Sequence, residues 1–393
     1  MMDCRPETVG AATWHLCPDP LLPAGARLRA LVRARLIDEI TQRPVQADRV
    51  CTTDPRLALH VAQRIMRDGT VGLAGWPASV FPALASAAAS IPLRIEARGY
   101  LPLDLDGTLG LFPAFPDGFT ALDHGDVFLH RAGVACKGRV VQRDTAANVP
   151  LAGATVEIDG VWPTCPPPDV MPAAVIEPAN LVALAPGFYS SHAAATLARC
   201  DVVEDLPQAK RLLQPAAPGA RRLRLDNRDT LVPAMPLVID AGDAARREVV
   251  GIHSVDTSLS ADQPAWVELD YPLRHLHRRQ AQAVPISIPA THDPRSLSRA
   301  SQAGDPCAFL TAAAPWPALS LVQVDDGANP PEYQRIDHYA TVADADGYFR
   351  LPRISRLALF RLHVTHPAPP QPLLLTIEPD YGLAEQVLSV AFE

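Results

Sequence analysis

Residues 138–158 read GRVVQRDTAANVPLAGATVEI. The stretch leaves a β-branched strand, crosses a polar turn, reaches a Pro-apolar step at Pro150-Leu151 and enters a second strand. There Ala154, Val156 and Ile158 alternate with polar residues. Alternation at period two places one face of a strand on a core and the other in water. Residues 35–45, RLIDEITQRPV, repeat the first half of this grammar and reach their own Pro-apolar step at Pro44-Val45. Each copy has a partner further on. Residues 68–73, DGTVGL, match residues 346–352, DGYFRLP. Asp-Gly supplies the positive φ of a tight hairpin turn, and a strand follows at once. Alternating strands then come at 93–100, LRIEARGY, and 359–366, LFRLHVTH. The repeated unit is an antiparallel β-sandwich of about 100 residues.

In the first copy the halves are close together. In the second they are separated by most of the chain between Trp162 and Glu332. An insertion into an exposed loop explains this. Pro163, Pro166, Pro167 and Pro168 mark its start, and Asn329-Pro330-Pro331 marks its end. The expected organisation is a divergent sandwich over 1–131, a split sandwich over 132–165 plus 332–393, and an insert over 166–331. Within the insert, residues 181–210 carry the best helical pattern, notably Ser191 to Arg199. Short strands at 221–225, 237–239, 248–255 and 265–269 predict a small closed barrel over about 215–290. Residues 287–314 read as irregular. The fold class is therefore mainly β: tandem transthyretin-like or Ig-like sandwiches with an inserted small β-barrel and short helices.

Composition agrees. Prolines number 41 of 393 residues, roughly twice the usual ~5% share, which disfavours long helices. Hydrophobic residues make up 48%, enough for real cores, and the net charge of −8 does not favour nucleic acid. The N-terminus lacks the basic start and apolar run of a signal peptide, and no 18-residue apolar run predicts a membrane helix. Synthesis in the cytoplasm is expected, with release in or attachment to a particle compatible with it. The seven cysteines show no C-x-x-C spacing, so neither a zinc knuckle nor a dense disulfide framework is expected. The sequence does not decide whether Cys4 and Cys17 pair.

The residues from Gly138 to Val156, together with Thr341 to Pro352, resemble the carboxypeptidase regulatory-like domain. That resemblance implies a seven-stranded transthyretin-like sandwich and a role as spacer, chaperoning or adhesion element rather than a chemistry. The insert, with Leu237 to Asp240, Glu248 to Val255 and Val267 to Leu273, resembles small β-barrels of phage-tail and injection-particle proteins.

Candidate chemistry is sparse. Intradiol dioxygenases have a related sandwich with iron held by two Tyr and two His. That likeness singles out His338, His363, His366, Tyr333 and Tyr339 as metal candidates, although the His-x-His step of that family is absent. Hydroxyisourate hydrolases share the transthyretin fold, but their closing tail is missing here. Asp325, Asp326, Glu332, Asp344 and Asp346 form an acidic group near the insertion joint, read as turn chemistry in preference to calcium ligation. A basic set, Arg221, Arg222, Arg224, Arg274, Arg278 and Arg279, reads as a docking face for an acidic partner. No cofactor is called for. The expected function is a non-catalytic structural or interaction component of a larger assembly, such as a phage-tail-like or contractile injection particle, with other proteins or itself as partner. Two alternatives stand beside it: a carbohydrate- or other ligand-binding sandwich module using Trp76, Trp162 and Trp316, and a metal-dependent enzyme on a transthyretin-like scaffold.

Overall fold

The computed structural model describes residues 5–9, 12–16, 29–54, 58, 61–75, 89–106, 108–109, 122–143, 148–164, 178–244, 246–369 and 371–392. Cys4, Cys17, Trp76, Thr145 and Pro166 to Pro168 lie outside the described residues. Regular structure is almost entirely β, as the alternating pattern requires. The chain forms two compact units, Met1–Ala132 and Gly133–Glu393.

In the first unit, four strands lie in the order Leu122–Leu129, Arg29–Asp38, Thr70–Gly75 and Val61–Ile65. A three-stranded sheet of Arg49–Thr52, Leu93–Glu96 and Leu103–Leu105 completes the sandwich. The core between them includes Leu31, Leu36, Val50, Val71, Leu73, Leu93 and Ile95. Leu122–Leu129 runs parallel to Arg29–Asp38, and the other pairs of this sandwich are antiparallel.

The second unit repeats this plan around its insert. Val134–Arg143 pairs antiparallel with Asn148–Pro150 and Tyr348–Ile354 and parallel with Glu385–Phe392. The opposing sheet runs Ala340–Val342, Thr155–Trp162, Leu359–Thr365 and Leu373–Ile377. Alternation sends Phe349, Leu351, Phe360, Leu362, Val364, Leu388 and Val390 into one core. In each sandwich the closing strand pairs parallel with the opening one, Leu122–Leu129 with Arg29–Asp38 and Glu385–Phe392 with Val134–Arg143.

The repeat is most visible at one corner of each sandwich. In the first unit, Leu36 N donates to Gly69 O and Val45 N to Leu36 O, both at 3.0 Å. In the second, Val140 N donates to Gly347 O at 2.8 Å and Leu151 N to Val140 O at 3.0 Å. Both glycines have positive φ, 84° and 79°. A Cβ at Gly69 would sit 2.7 Å from Leu36 O, and one at Gly347 would sit 2.5 Å from Val140 O. Glycine is required twice, by conformation and by space. The two turns differ in what leads into them. Asp68-Gly69 closes a true hairpin, with Ile65 facing Val71. Asp346-Gly347 does not: Ala340–Val342, which precedes it, pairs with Thr155–Trp162 in the opposite sheet. The expected hairpin is there a corner between sheets.

The insert holds two bodies of sheet. One is six-stranded, in the order Thr291–Ser296, Thr196–Cys200, Leu321–Asp325, Glu332–Asp337, Leu181–Ala185 and Cys307–Phe309. The other runs Gln282–Ser287, Pro236–Ile239, Glu248–Val255, Ala265–Leu269 and Arg222–Leu225. Lys210–Arg211 pairs with Gln282–Ser287, and the neighbouring Leu212 bridges to Leu225. The sheet thereby closes on itself, with Leu212, Leu223, Leu237, Ile239, Val250, Ile252, Val267 and Leu269 filling the barrel.

Three expectations are corrected here. Ser191 to Arg199 is not helical: Thr196–Cys200 is a strand between two neighbours, with Leu197 fully buried. The alanine-rich run favours helix locally, but two flanking ladders and an apolar core outweigh that preference. The described helical elements are two short 3₁₀ turns, Pro178–Asn180 and Leu206–Gln208. Residues 287–314 are not wholly irregular, since they supply both edges of the six-stranded sheet. Glu332–Asp337 belongs to that sheet and not to the split sandwich, because it pairs with Leu321–Asp325 and Leu181–Ala185.

Candidate functional site

Where the six-stranded sheet meets the barrel, two histidines are each held between two carboxylates. His277 is fully buried. Its Nδ1 lies 2.8 Å from Asp240 Oδ2 and its Nε2 2.5 Å from Glu248 Oε1. His192 is buried as well. Its Nδ1 lies 2.8 Å from Asp326 Oδ2 and its Nε2 3.1 Å from Glu332 Oε1.

Tyr189 joins the two. Its backbone N–H donates to Glu332 Oε2 at 2.7 Å, and its hydroxyl donates to Glu248 Oε2 at 2.9 Å. Asp326, His192, Glu332, Tyr189, Glu248, His277 and Asp240 thus form one connected chain. Further main-chain donors complete the carboxylates. Ser190 N reaches Glu332 Oε1 at 2.6 Å, Arg274 N reaches Glu248 Oε2 at 3.1 Å, and His275 N reaches Glu248 Oε1 at 3.2 Å. The Tyr189 ring stacks on Tyr271 with centroids 5.4 Å apart, under the Arg274 guanidinium.

The electrostatics follow from this packing. Burial alone would lower both histidine pKa values, but the flanking carboxylates outweigh it and raise them. Burial would raise Glu248, but the bonds from His277, Arg274 and Tyr189 bring it below the usual carboxylate range. Desolvation and the Glu248 charge push the Tyr189 hydroxyl far up.

Ser190, His192 and Asp326 stand in the order of a hydrolytic triad, with Ser190 Oγ 3.3 Å from His192 Nε2. The chemistry differs. Ser190 Oγ donates to Glu332, which also faces His192 Nε2. An imidazole with a carboxylate on each nitrogen donates from both and has no lone pair left to take a proton from serine. The cluster suits fastening two sheets together.

The sequence-derived candidates are dispersed. His338 Nε2 bonds Trp316 O at 2.7 Å, His363 Nδ1 pairs with Glu157 at 2.8 Å across two strands, and His366 Nε2 bonds Ala152 O at 3.0 Å. Tyr339 donates to Arg353 O at 2.8 Å, while burial pushes Tyr333 up to about 12. The proposed metal set does not converge, and no group of three metal-ligating side chains does so among the described residues.

Of the basic set, Arg222 and Arg224 lie over Trp266 with guanidinium carbons 5.1 and 5.4 Å from the ring centroid. Arg221, Arg278 and Arg279 are exposed. Arg274 is spent within the joint, donating to Phe188 O at 2.9 Å, and is not a docking residue. The acidic group divides too. Asp344, Asp325 and Asp326 cap their own turns, and Asp326 and Glu332 also belong to the histidine chain. Trp162 and Trp316 are buried, which removes them from any carbohydrate face.

Sequence reasoning noted Asp326 and Glu332 but joined them to no histidine, and it missed His192, His277, Glu248, Asp240 and Tyr189 as a site. The available signal was the charged Glu248 at the head of an apolar strand.

A second feature lies on the split sandwich. An open groove of about 780 Å³ runs over Lys137, Arg139, Val342, Tyr348, Val387 and Ser389. Val387 is 72% exposed and Tyr348 54%. Among the described residues Glu385–Phe392 pairs with Val134–Arg143 alone, so alternate backbone groups along its other edge have no strand partner.

No family model matches the chain, and no curated protein matches it. Two crystal structures of BcpA, the major pilin subunit of Bacillus cereus, were found by structure comparison. One covers 92% of this chain and 99% of its own at 7% identity, the other 93% and 99% at 8%. Both have a TM-score of 0.19, too low a likeness to inform fold or function.

Proposed function

We propose that the chain is a non-catalytic structural component that assembles through the free edge of Glu385–Phe392, with the same strand of a second copy as occupant. The observation that carries this reading is that edge itself. It is eight residues long, Val387 stands out from it, and Glu385 is its sole charged residue. Proteins normally blunt such edges with lysine, proline or a bulge. Antiparallel pairing of two copies satisfies the open backbone groups and buries both Val387 side chains in a self-complementary contact.

The histidine chain supports the same reading, because it ties up the residues that would otherwise be candidates for acid–base work. The resemblance to carboxypeptidase regulatory-like domains and to barrels of phage-tail-like particles fits a spacer in a larger particle. Hydrogen exchange tests the edge. Alternate amides of residues 385–392 slow at high protein concentration and exchange freely on dilution. Exchange independent of concentration sinks the proposal.

A further inference from the structure

The outer face of the split sandwich gathers cations. Lys137 and Arg139 lie two residues apart on Val134–Arg143, so both point to the same side of the sheet. Their antiparallel neighbours on Tyr348–Ile354 are Arg350 and Tyr348. Lys137 and Arg350 therefore stand directly opposite each other, and like charges so placed are destabilising. All four side chains line the open groove of about 780 Å³. Lys137, Tyr348 and Arg350 are exposed, and Arg139 is half-buried.

Glu385 answers two of the three cations. It takes Lys137 Nζ on Oε2 at 2.6 Å and Arg350 Nη2 on Oε1 at 2.7 Å. The surrounding cations, Lys137 foremost, hold its carboxyl below the usual range. Arg139 has no share in it. Its Nε donates to Asp346 O at 2.8 Å, its guanidinium carbon lies 5.2 Å from the Tyr348 ring centroid, and among the described residues it forms no ion pair. Two acids stand at the corner, Asp344 in the groove and Asp346 beside it. Asp344 Oδ1 accepts from Asp346 N at 3.0 Å and from Tyr348 N at 2.8 Å, and Asp346 meets Arg139 through its main-chain oxygen. A chain of net charge −8 thus holds three adjacent cations on one face, against their mutual repulsion.

We propose that this face docks an extended acidic polypeptide segment of another protein, with carboxylates two residues apart on Arg139 and Lys137 and their aliphatic stems against Tyr348 and Val342. Charge complementarity selects an acidic partner, and the guanidinium fork of Arg139 matches a carboxylate. In an extended chain, alternate side chains fall on one side roughly 7 Å apart. That is the spacing of Lys137 and Arg139, which are themselves alternate residues of a strand. The overall negative charge disfavours a long polyanion such as nucleic acid. The site uses the face of the sheet and does not depend on pairing along the edge of Glu385–Phe392.

Calorimetric titration of the full chain tests the assignment with three probes: a capped hexapeptide alternating glutamate and threonine, the same peptide with glutamine for glutamate, and a galacturonate oligosaccharide. The acidic peptide binds one per chain, and the glutamine peptide and the saccharide bind about tenfold more weakly or worse. Arg139→Gln and Lys137→Gln each reduce binding by about tenfold, whereas Arg279→Gln on the barrel, the same change of charge, leaves it unchanged. Lys137→Gln also removes the like-charged pair, so its melting temperature is the same or higher, which separates binding from folding. Failure of the acidic peptide to bind, equal binding of the glutamine peptide, tighter binding of the saccharide, or full binding by Arg139→Gln overturns the proposal. So does an equal loss in Arg279→Gln. Self-association abolished by Arg139→Gln in light scattering would put a second copy on this face and overturn it too, whereas failure of edge pairing alone leaves peptide binding intact.

Discussion

His277 Nε2 lies 2.5 Å from Glu248 Oε1, and both side chains are withdrawn completely from water. A charge pair so placed is tolerated because the remaining polar atoms of both groups are engaged: Asp240 on the far side of the ring, Tyr189 and the backbone of Arg274 and His275 on the carboxylate. Removing one partner strands the other without solvent. Breaking buried pairs costs about 3–5 kcal/mol. Glu248→Ala and His277→Ala are each expected to destabilise the second unit by that order, measured by urea unfolding. Glu248→Ala with His277→Ala is expected to cost less than the sum of the two.

The same network sets a pH window. Both histidines have raised pKa values in the folded state. Their contribution is fully present below the unfolded histidine pKa of about 6.5 and is lost as pH rises through the folded values. Glu248 and Asp326 are lowered. Theirs is present above the unfolded carboxylate range near 4 and is lost as pH falls through the folded values. The melting temperature should therefore be highest from about pH 5 to 6.5 and fall on either side. His192→Asn and His277→Asn should flatten the alkaline limb.

The paired corners make a second stability test. Alanine at Gly69 or Gly347 meets a carbonyl oxygen as well as an unfavourable φ. Gly153 also has positive φ, but a Cβ there meets nothing within 4 Å. Gly153→Ala is expected to cost about 1 kcal/mol from backbone conformation alone. Gly69→Ala and Gly347→Ala should cost clearly more, each in its own unit. Equal costs at all three positions, by thermal unfolding, would contradict the corner geometry.

The strands were the legible part of this sequence. Glu248–Val255 and Ala265–Leu269 were read with their bounds, because alternation and turn pairs frame them. Pro44-Val45 and Pro150-Leu151 announced the repeat, and the structure gives them the same backbone bonds. Thr196–Cys200 was misread because alanine composition speaks for helix while the deciding ladders come from residues 291–296 and 321–325. The histidine chain was illegible for a related reason. His192 and Glu332 are 140 residues apart, and His277 and Glu248 are 29 apart. Only the charged Glu248 at the head of an apolar strand marks either pair locally, and Asp326 and Glu332 read as members of an acidic turn group although both hold His192.

The exposed edge carries the account of function, and light scattering on the purified chain across a range of concentrations tests it most directly. The account predicts a mass rising from 42.2 kDa toward twice that value or beyond, with Val387→Lys held at the monomer mass and its melting temperature unchanged. A wild-type chain that stays at the monomer mass at every concentration would contradict it.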